Sequence, residues 1–282
     1  MLFDVGPARP LGVPEAEAMV RIAVDVRSAD RAVAGRFLRL ADRPAFELAF
    51  PCGTCPLLFE RKGGANTQVS LDDPDGRLAA GLTTLDDGVV ERYGGLLPNG
   101  SYQPLLLKIA PRLVTPAGSD DYFTHEQVAT WGIDGFSGVP ESPGTPYYRT
   151  FETRIDDDQH LYEFVVPMVP PTWNAPDRVD RYAEAMAAGA VPTAVALSFL
   201  DVLQPATDDE STDYYTHWGL THVLLDGHHK LQAAARTGTP LTLLTLLAHD
   251  DGLAGPEDLT RLLSVRADGP ARRTGGERSD SP

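Results

Sequence analysis

Cysteine is nearly absent from this chain: there are two in 282 residues, Cys52 and Cys55. Two thiols cannot make a disulfide framework, which excludes the small secreted scaffolds that depend on one. Long apolar runs are missing too. No stretch approaches the roughly 18 consecutive apolar residues that a membrane helix needs. The start, Met1-Leu2-Phe3-Asp4, lacks the basic-then-apolar pattern of a secretory signal. The expectation is a cytoplasmic protein with no membrane partner. Basic residues are scarce, with 24 Lys and Arg against 40 Asp and Glu and a net charge of −16. A surface that acidic repels phosphate backbones, so nucleic acid is not an expected partner. Arg272-Arg273 is too small a basic block to reverse this.

An apolar fraction of 42% is enough for a core, and 24 Pro with 26 Gly imply many turns rather than a helical bundle. The expected class is α+β, of mixed type. Residues 1–17 read as irregular, 18–160 as a mixed α/β N-terminal domain, 161–266 as a second domain and 267–282 as a disordered polar tail. In the first domain, residues 19–26 read as a strand. Val33, Phe37, Leu38 and Ala41 have helical spacing, which predicts a helix over 31–41. Phe46 to Phe50 reads as a strand. Residues 101–115 read as edge strand because of Pro104 and Pro111. Residues 147–155 and 160–169 form a hairpin around Asp156-Asp157-Asp158.

The second domain has a clearer pattern. Val179, Tyr182, Ala183 and Met186 recur at helical spacing, with Asp177 as a cap and Gly189 as the stop. Residues 193–202 read as a strand, Asp208 to Trp218 as an acidic, aromatic loop suited to a lid, and 222–225 as a short buried strand. Asp226-Gly227 is a turn, 228–237 a helix ended by Gly238, and 241–247 a buried strand. At the turn, glycine permits close backbone approach, and the following helix offers unpaired N–H groups and a positive dipole end to a phosphate. Lys230 adds charge. His228 and His229 can donate hydrogen bonds or move a proton. Asp226 can hold Mg²⁺ or act as a base.

This order of elements resembles the ParB/sulfiredoxin superfamily over about 165–247. The resemblance rests on two pieces: Arg178 through Gly189-Ala190-Val191-Pro192, and Leu224-Leu225-Asp226-Gly227-His228-His229-Lys230. His228 stands where sulfiredoxins carry their cysteine, and no arginine-rich turn or helix-turn-helix of the DNA-partitioning members is present. The turn is closest in type to the D-G-H-x-R of free-serine kinases, with Lys230 in place of the arginine. Lys keeps the charge but loses the bidentate fork. The resemblance implies phosphoryl transfer from ATP or ADP, with Mg²⁺, to a small hydroxyl-bearing molecule. It casts Asp226 or His228 as base or metal partner and Glu184 as an alternative base. Gly227, His229, Lys230 and Arg178 would hold phosphate. A non-catalytic nucleotide-binding or protein-interaction module is the rival reading.

Cys52-Gly53-Thr54-Cys55 is a half-site for zinc, a redox pair or a pair of structural thiols. His125 and His160 are the candidate further ligands. A zinc-knuckle adaptor is therefore a third reading.

Overall fold

The computed structural model describes residues 1–26, 34–49, 59–66, 69, 71, 73, 75–133, 138–204 and 215–268. The strands are β1 (Leu2–Val5), β2 (Arg9–Leu11), β3 (Val20–Val26), β4 (Ala34–Leu40), β5 (Arg43–Leu48), β6 (Phe59–Arg61), β7 (Gly100–Ile109), β8 (Arg112–Val114), β9 (Tyr147–Arg154), β10 (Gln159–Pro167), β11 (Thr193–Leu203), β12 (Thr216–Asp226) and β13 (Leu241–Ala248). The helices are α1 (Arg77–Ala80), α2 (Asp87–Gly94), α3 (Glu126–Trp131), α4 (Pro176–Ala187), α5 (His228–Thr237) and α6 (Pro256–Asp268). The fold is α+β.

Nine strands form the main sheet, in the order β1-β7-β13-β11-β12-β10-β9-β8, with β2 also paired to β7. The residue-160 boundary expected from sequence runs through this sheet, because strands from both sides of it hydrogen-bond together. A second sheet, β3-β4-β5-β6, is antiparallel throughout. One face of the main sheet contributes Phe164, Leu197, Val223 and Leu244 to a core shared with Leu38 and Phe46 of the small sheet and Val90 of α2. The other face contributes Val165, Ala196, Leu224 and Leu243 to a core shared with α4, α5 and α6. The strands buried on both faces read as near-continuous apolar runs, as Leu241–Ala248 does.

Two units interleave at the centre. α4 connects β10 to β11, and α5 connects β12 to β13. Yet β12 lies between β10 and β11, and β11 lies between β12 and β13. Each helix therefore crosses one strand of the other unit, and both lie on the same face.

Several sequence expectations need correction. Residues 34–40 are strand rather than helix. Arg36 occupies the same face as Leu38 and Leu40 and is itself buried, which hides the alternation of two. β7 is not an edge strand: β13 pairs with it along its length, and β1 and β2 lie on its other side. Pro104 is tolerated because its carbonyl, which accepts from Gly6 N–H at 2.9 Å, faces the gap between the short β1 and β2. In an antiparallel strand a residue's N and C=O point the same way, so the missing donor falls in that gap. Asp177 does not cap α4. Ala175 is the N-cap residue and Pro176 takes the first helical position. Thr216 to Trp218, expected in a loop, belong to β12 and are buried. Residues 267 and 268, expected in the disordered tail, belong to α6. Residues 208–214 of that loop, residues 31–33, the Cys52–Cys55 motif and residues 269–282 lie outside the described residues.

Other expectations agree with the structure. The 147–169 hairpin, α5 and β13 lie where the sequence places them, and β12 extends the 222–225 strand. Gly189 has φ +97°. Gly189 N–H donates to Met186 O and Ala190 N–H to Ala185 O, both at 2.9 Å, closing α4 in a Schellman turn.

Candidate functional site

The Asp226–Lys230 turn joins β12 to α5, and its geometry is fixed by glycine. Gly227 has φ +97°, and a Cβ there would stand 2.7 Å from the Ala194 Cβ on the neighbouring β11. The first helical bond of α5 runs from Leu231 N–H to Gly227 O at 2.8 Å. The N–H groups of His228, His229 and Lys230 are thus the open donors of the helix start.

The segment running from the end of β10 to the N-terminus of α4 is tied to the same place by these contacts. Ala175 N–H donates to His229 Nε2 at 3.1 Å, Asn174 Nδ2 donates to Gln232 Oε1 at 2.8 Å, and Met168 N–H donates to His228 Nε2 at 3.1 Å. The two helix starts therefore lie side by side, and the open N–H groups and positive dipole end of α5 favour an anion in front of them. A cavity of about 250 Å³ opens there, lined by Asp226 to Lys230, by Arg178 and Tyr182 of α4, and by Val69, Leu71 and Asp73.

The histidines are not the free donors that the sequence suggests. Both Nε2 atoms accept backbone N–H groups, so each neutral ring carries its proton on Nδ1. Burial, reinforced by the neighbouring His229, pushes His228 down to about 4. Burial and Arg178 likewise lower His229. Near neutral pH both rings brace the loop before α4. Lys230 is braced as well: Nζ donates to Thr193 O at 2.8 Å and to Asp226 Oδ2 at 3.2 Å, and the side chain is buried. Its charge reaches the cavity partly neutralised by Asp226.

Arg178 is exposed and has no carboxylate within ion-pair distance among the described residues, so it is the least committed cation of the cavity wall. Glu184 is exposed on α4 and is not among the lining residues. Asp226, Gly227, His228, His229, Lys230 and Arg178 are thus gathered in one place, and Glu184 is not. Sequence reasoning missed Asp73 and Tyr182. Tyr182 sits in the apolar stripe of α4 and reads as core. Asp73 arrives from more than a hundred residues upstream, and no local signal connects it to the turn.

A second polar group is buried beneath α6. Ser198 Oγ lies 2.5 Å from His222 Nδ1, His222 Nε2 lies 3.7 Å from Glu163 Oε1, and Arg266 Nε lies 2.7 Å from Glu163 Oε2. Ser198 also contacts Thr245, and Thr150 donates to Glu163 at 2.7 Å. The serine, histidine and carboxylate resemble a hydrolytic triad in composition. All three are buried, and none lines a cavity described above. They form a polar row across β10, β12, β11 and β13, closed by Arg266 from α6.

The described residues contain no cluster of three or more His, Cys, Asp or Glu arranged to hold a metal. His160 stacks on Tyr162 and meets Tyr215 Oη at 3.1 Å. No described helix is long and apolar enough to cross a membrane. Comparison with family models, curated proteins and solved structures returned no match for this chain.

Proposed function

We propose that the cavity at Asp226–Lys230 binds the phosphates of ATP or ADP, and that the protein transfers a phosphoryl group to a small hydroxyl-bearing molecule. The observation that carries this reading is that the start of α5, held beside that of α4, opens on one cavity with Arg178, which has no ion-pair partner among the described residues. The open N–H groups of α5 would take phosphate oxygens, and Arg178 would close over them. Asp226, partly exposed and already paired with Lys230, suits a phosphate-bound Mg²⁺. That ion commonly takes one or two carboxylates beside phosphate oxygens and neutralises their charge. The resemblance of residues 165–247 to the ParB/sulfiredoxin superfamily supports the same reading, as does the D-G-H-x-K turn.

Calorimetric titration with ADP and Mg²⁺ tests it. Wild type should bind, and Arg178→Ala, an exposed change, should weaken binding about tenfold or more, the scale of one lost charge-assisted hydrogen bond. No heat at millimolar ADP would sink the proposal.

One observation favours a second reading. His228, His229 and Lys230 are all committed to bracing the fold, which suits a nucleotide-binding module without chemistry. Such a module would bind ADP and turn nothing over.

A further inference from the structure

Phosphoryl transfer to a hydroxyl needs a group that receives the acceptor's proton, and the obvious candidates are already engaged. His228 and His229 use Nε2 on backbone N–H groups, and Asp226 is paired with Lys230. Glu184, the alternative base, lies off the cavity. Among the described residues one further carboxylate lines the wall, that of Asp73.

Its position is held from one side. Asp73 Oδ2 accepts from Leu78 N–H at 3.1 Å and from Ala79 N–H at 3.2 Å, which fastens it to the start of α1. Oδ1 has no hydrogen-bond partner among the described residues. Asp73 and Asp226 together raise Tyr182 further, after burial, and do the same to Tyr93, so both carboxylates act on this corner of the protein. Arg178 and the start of α5 supply the anion-binding groups of the cavity, and Asp73 adds a carboxylate to the same wall.

We infer that Asp73 is the carboxylate that receives the acceptor hydroxyl. This rests on the phosphotransfer reading above. The acceptor oxygen bonds to the terminal phosphorus of the nucleotide while the bridging P–O bond breaks. The shortened nucleotide leaves with that electron pair, and the acceptor proton passes to Asp73 Oδ1. Nucleotide binding itself does not require the residue.

The test uses Asp73→Asn, whose amide oxygen can still accept from Leu78 and Ala79, together with Asp73→Ala. ADP binding is measured by calorimetry, and transfer from ATP to glycerol, ethanolamine and water is followed by phosphorus NMR. The expected result is ADP affinity within about threefold of wild type, with kcat lowered about a hundredfold or more in Asp73→Asn and KM little changed. Formate should restore part of the rate to Asp73→Ala, which a purely structural role would not allow. The inference is overturned if Asp73→Asn retains wild-type kcat, if formate restores nothing, or if wild type binds ADP yet transfers to none of the three acceptors. Absence of ADP binding by wild type instead removes the parent reading, and the inference with it.

Discussion

Removing Arg266 should change not only the stability of the protein but the way that stability depends on pH. Glu163 is fully buried on β10. Burial pushes its carboxyl up, but the Arg266 guanidinium, the His222 ring and the Thr150 hydroxyl outweigh burial and hold it at about 2, from an ordinary 4.5. The titratable and charged groups facing it are Arg266 from α6, His222 from β12 and the amino group of Met1, which burial and Arg266 lower to about 6. A carboxyl with a depressed folded value contributes stability that is present above its unfolded value and lost as pH falls through the folded one. Here that window is about pH 4.5 down to 2, and the fall is worth about 3 kcal/mol at about 1.4 kcal/mol per tenfold. In Arg266→Met the carboxylate stays buried without its partner. The expected loss at pH 7 is about 3–5 kcal/mol. Burial then dominates and the folded carboxyl titrates above its unfolded value. The gap between wild type and variant should therefore narrow as pH falls, by up to about 1.4 kcal/mol per pH unit. Urea unfolding of both proteins at pH 7, 6, 5 and 4 measures this. Glu163→Gln combined with Arg266→Met should recover much of the loss. A gap that is constant with pH, or smaller than about 1 kcal/mol at pH 7, would refute the argument.

Three further outcomes follow from the same structure. Gly227→Ala must hold a left-handed φ and press a Cβ against Ala194. It should cost about 1–3 kcal/mol in urea unfolding and abolish ADP binding. His228 is lowered to about 4 and His217, by burial, to about 3. The unfolded chain then binds more protons than the fold below about pH 6.5, so both histidines withdraw stability as pH falls from there. Their ring NMR signals should remain those of neutral imidazole at pH 5.5. Arg36 of β4 donates to Asp201 of β11 at 2.6 and 2.9 Å, and Asp201 Oδ1 also accepts from Leu253 N–H. Asp201→Ala leaves that guanidinium buried and unpaired between the two sheets. It should cost about 3–5 kcal/mol by thermal or urea unfolding, against less than 1 kcal/mol for the exposed pair Arg154–Asp157.

What was legible in the sequence was what local chemistry dictates. Gly189 and Gly238 end helices at left-handed positions, Gly227 forms the turn, and the apolar stripe of α4 faces the core. The turn's local shape and its gathering with Arg178 could be anticipated. The state of its side chains could not, because that depends on backbone groups from elsewhere. His228 is fixed by Met168, His229 by Ala175 and Lys230 by Thr193, each tens of residues away. Arg36 disguised a strand as a helix, because its partner Asp201 lies 165 residues downstream. α6 was missed although local signals were present. Pro256 opens it, Glu257 and Asp258 occupy its first turn, and Gly255 N–H donates to Asp258 at 2.8 Å. Leu259, Leu262 and Leu263 face the core at i, i+3 and i+4, so the helical spacing was there to be read as well.

The interleaving of β10-α4-β11 with β12-α5-β13 has a consequence for how the chain is made. When residues up to 203 have left the ribosome, β10 and β11 are both present, yet neither has its main partner, because the slot between them belongs to β12. β7, complete by residue 109, likewise waits for β13 at 241–248. The central sheet thus cannot be built in the order of synthesis. Much of its apolar surface stays uncovered until the last quarter of the chain arrives, so closure depends on contacts of long sequence separation and should be slow. The late arrival of β12 and α5 also means that the Asp226–Lys230 turn is among the last parts of the molecule to take shape.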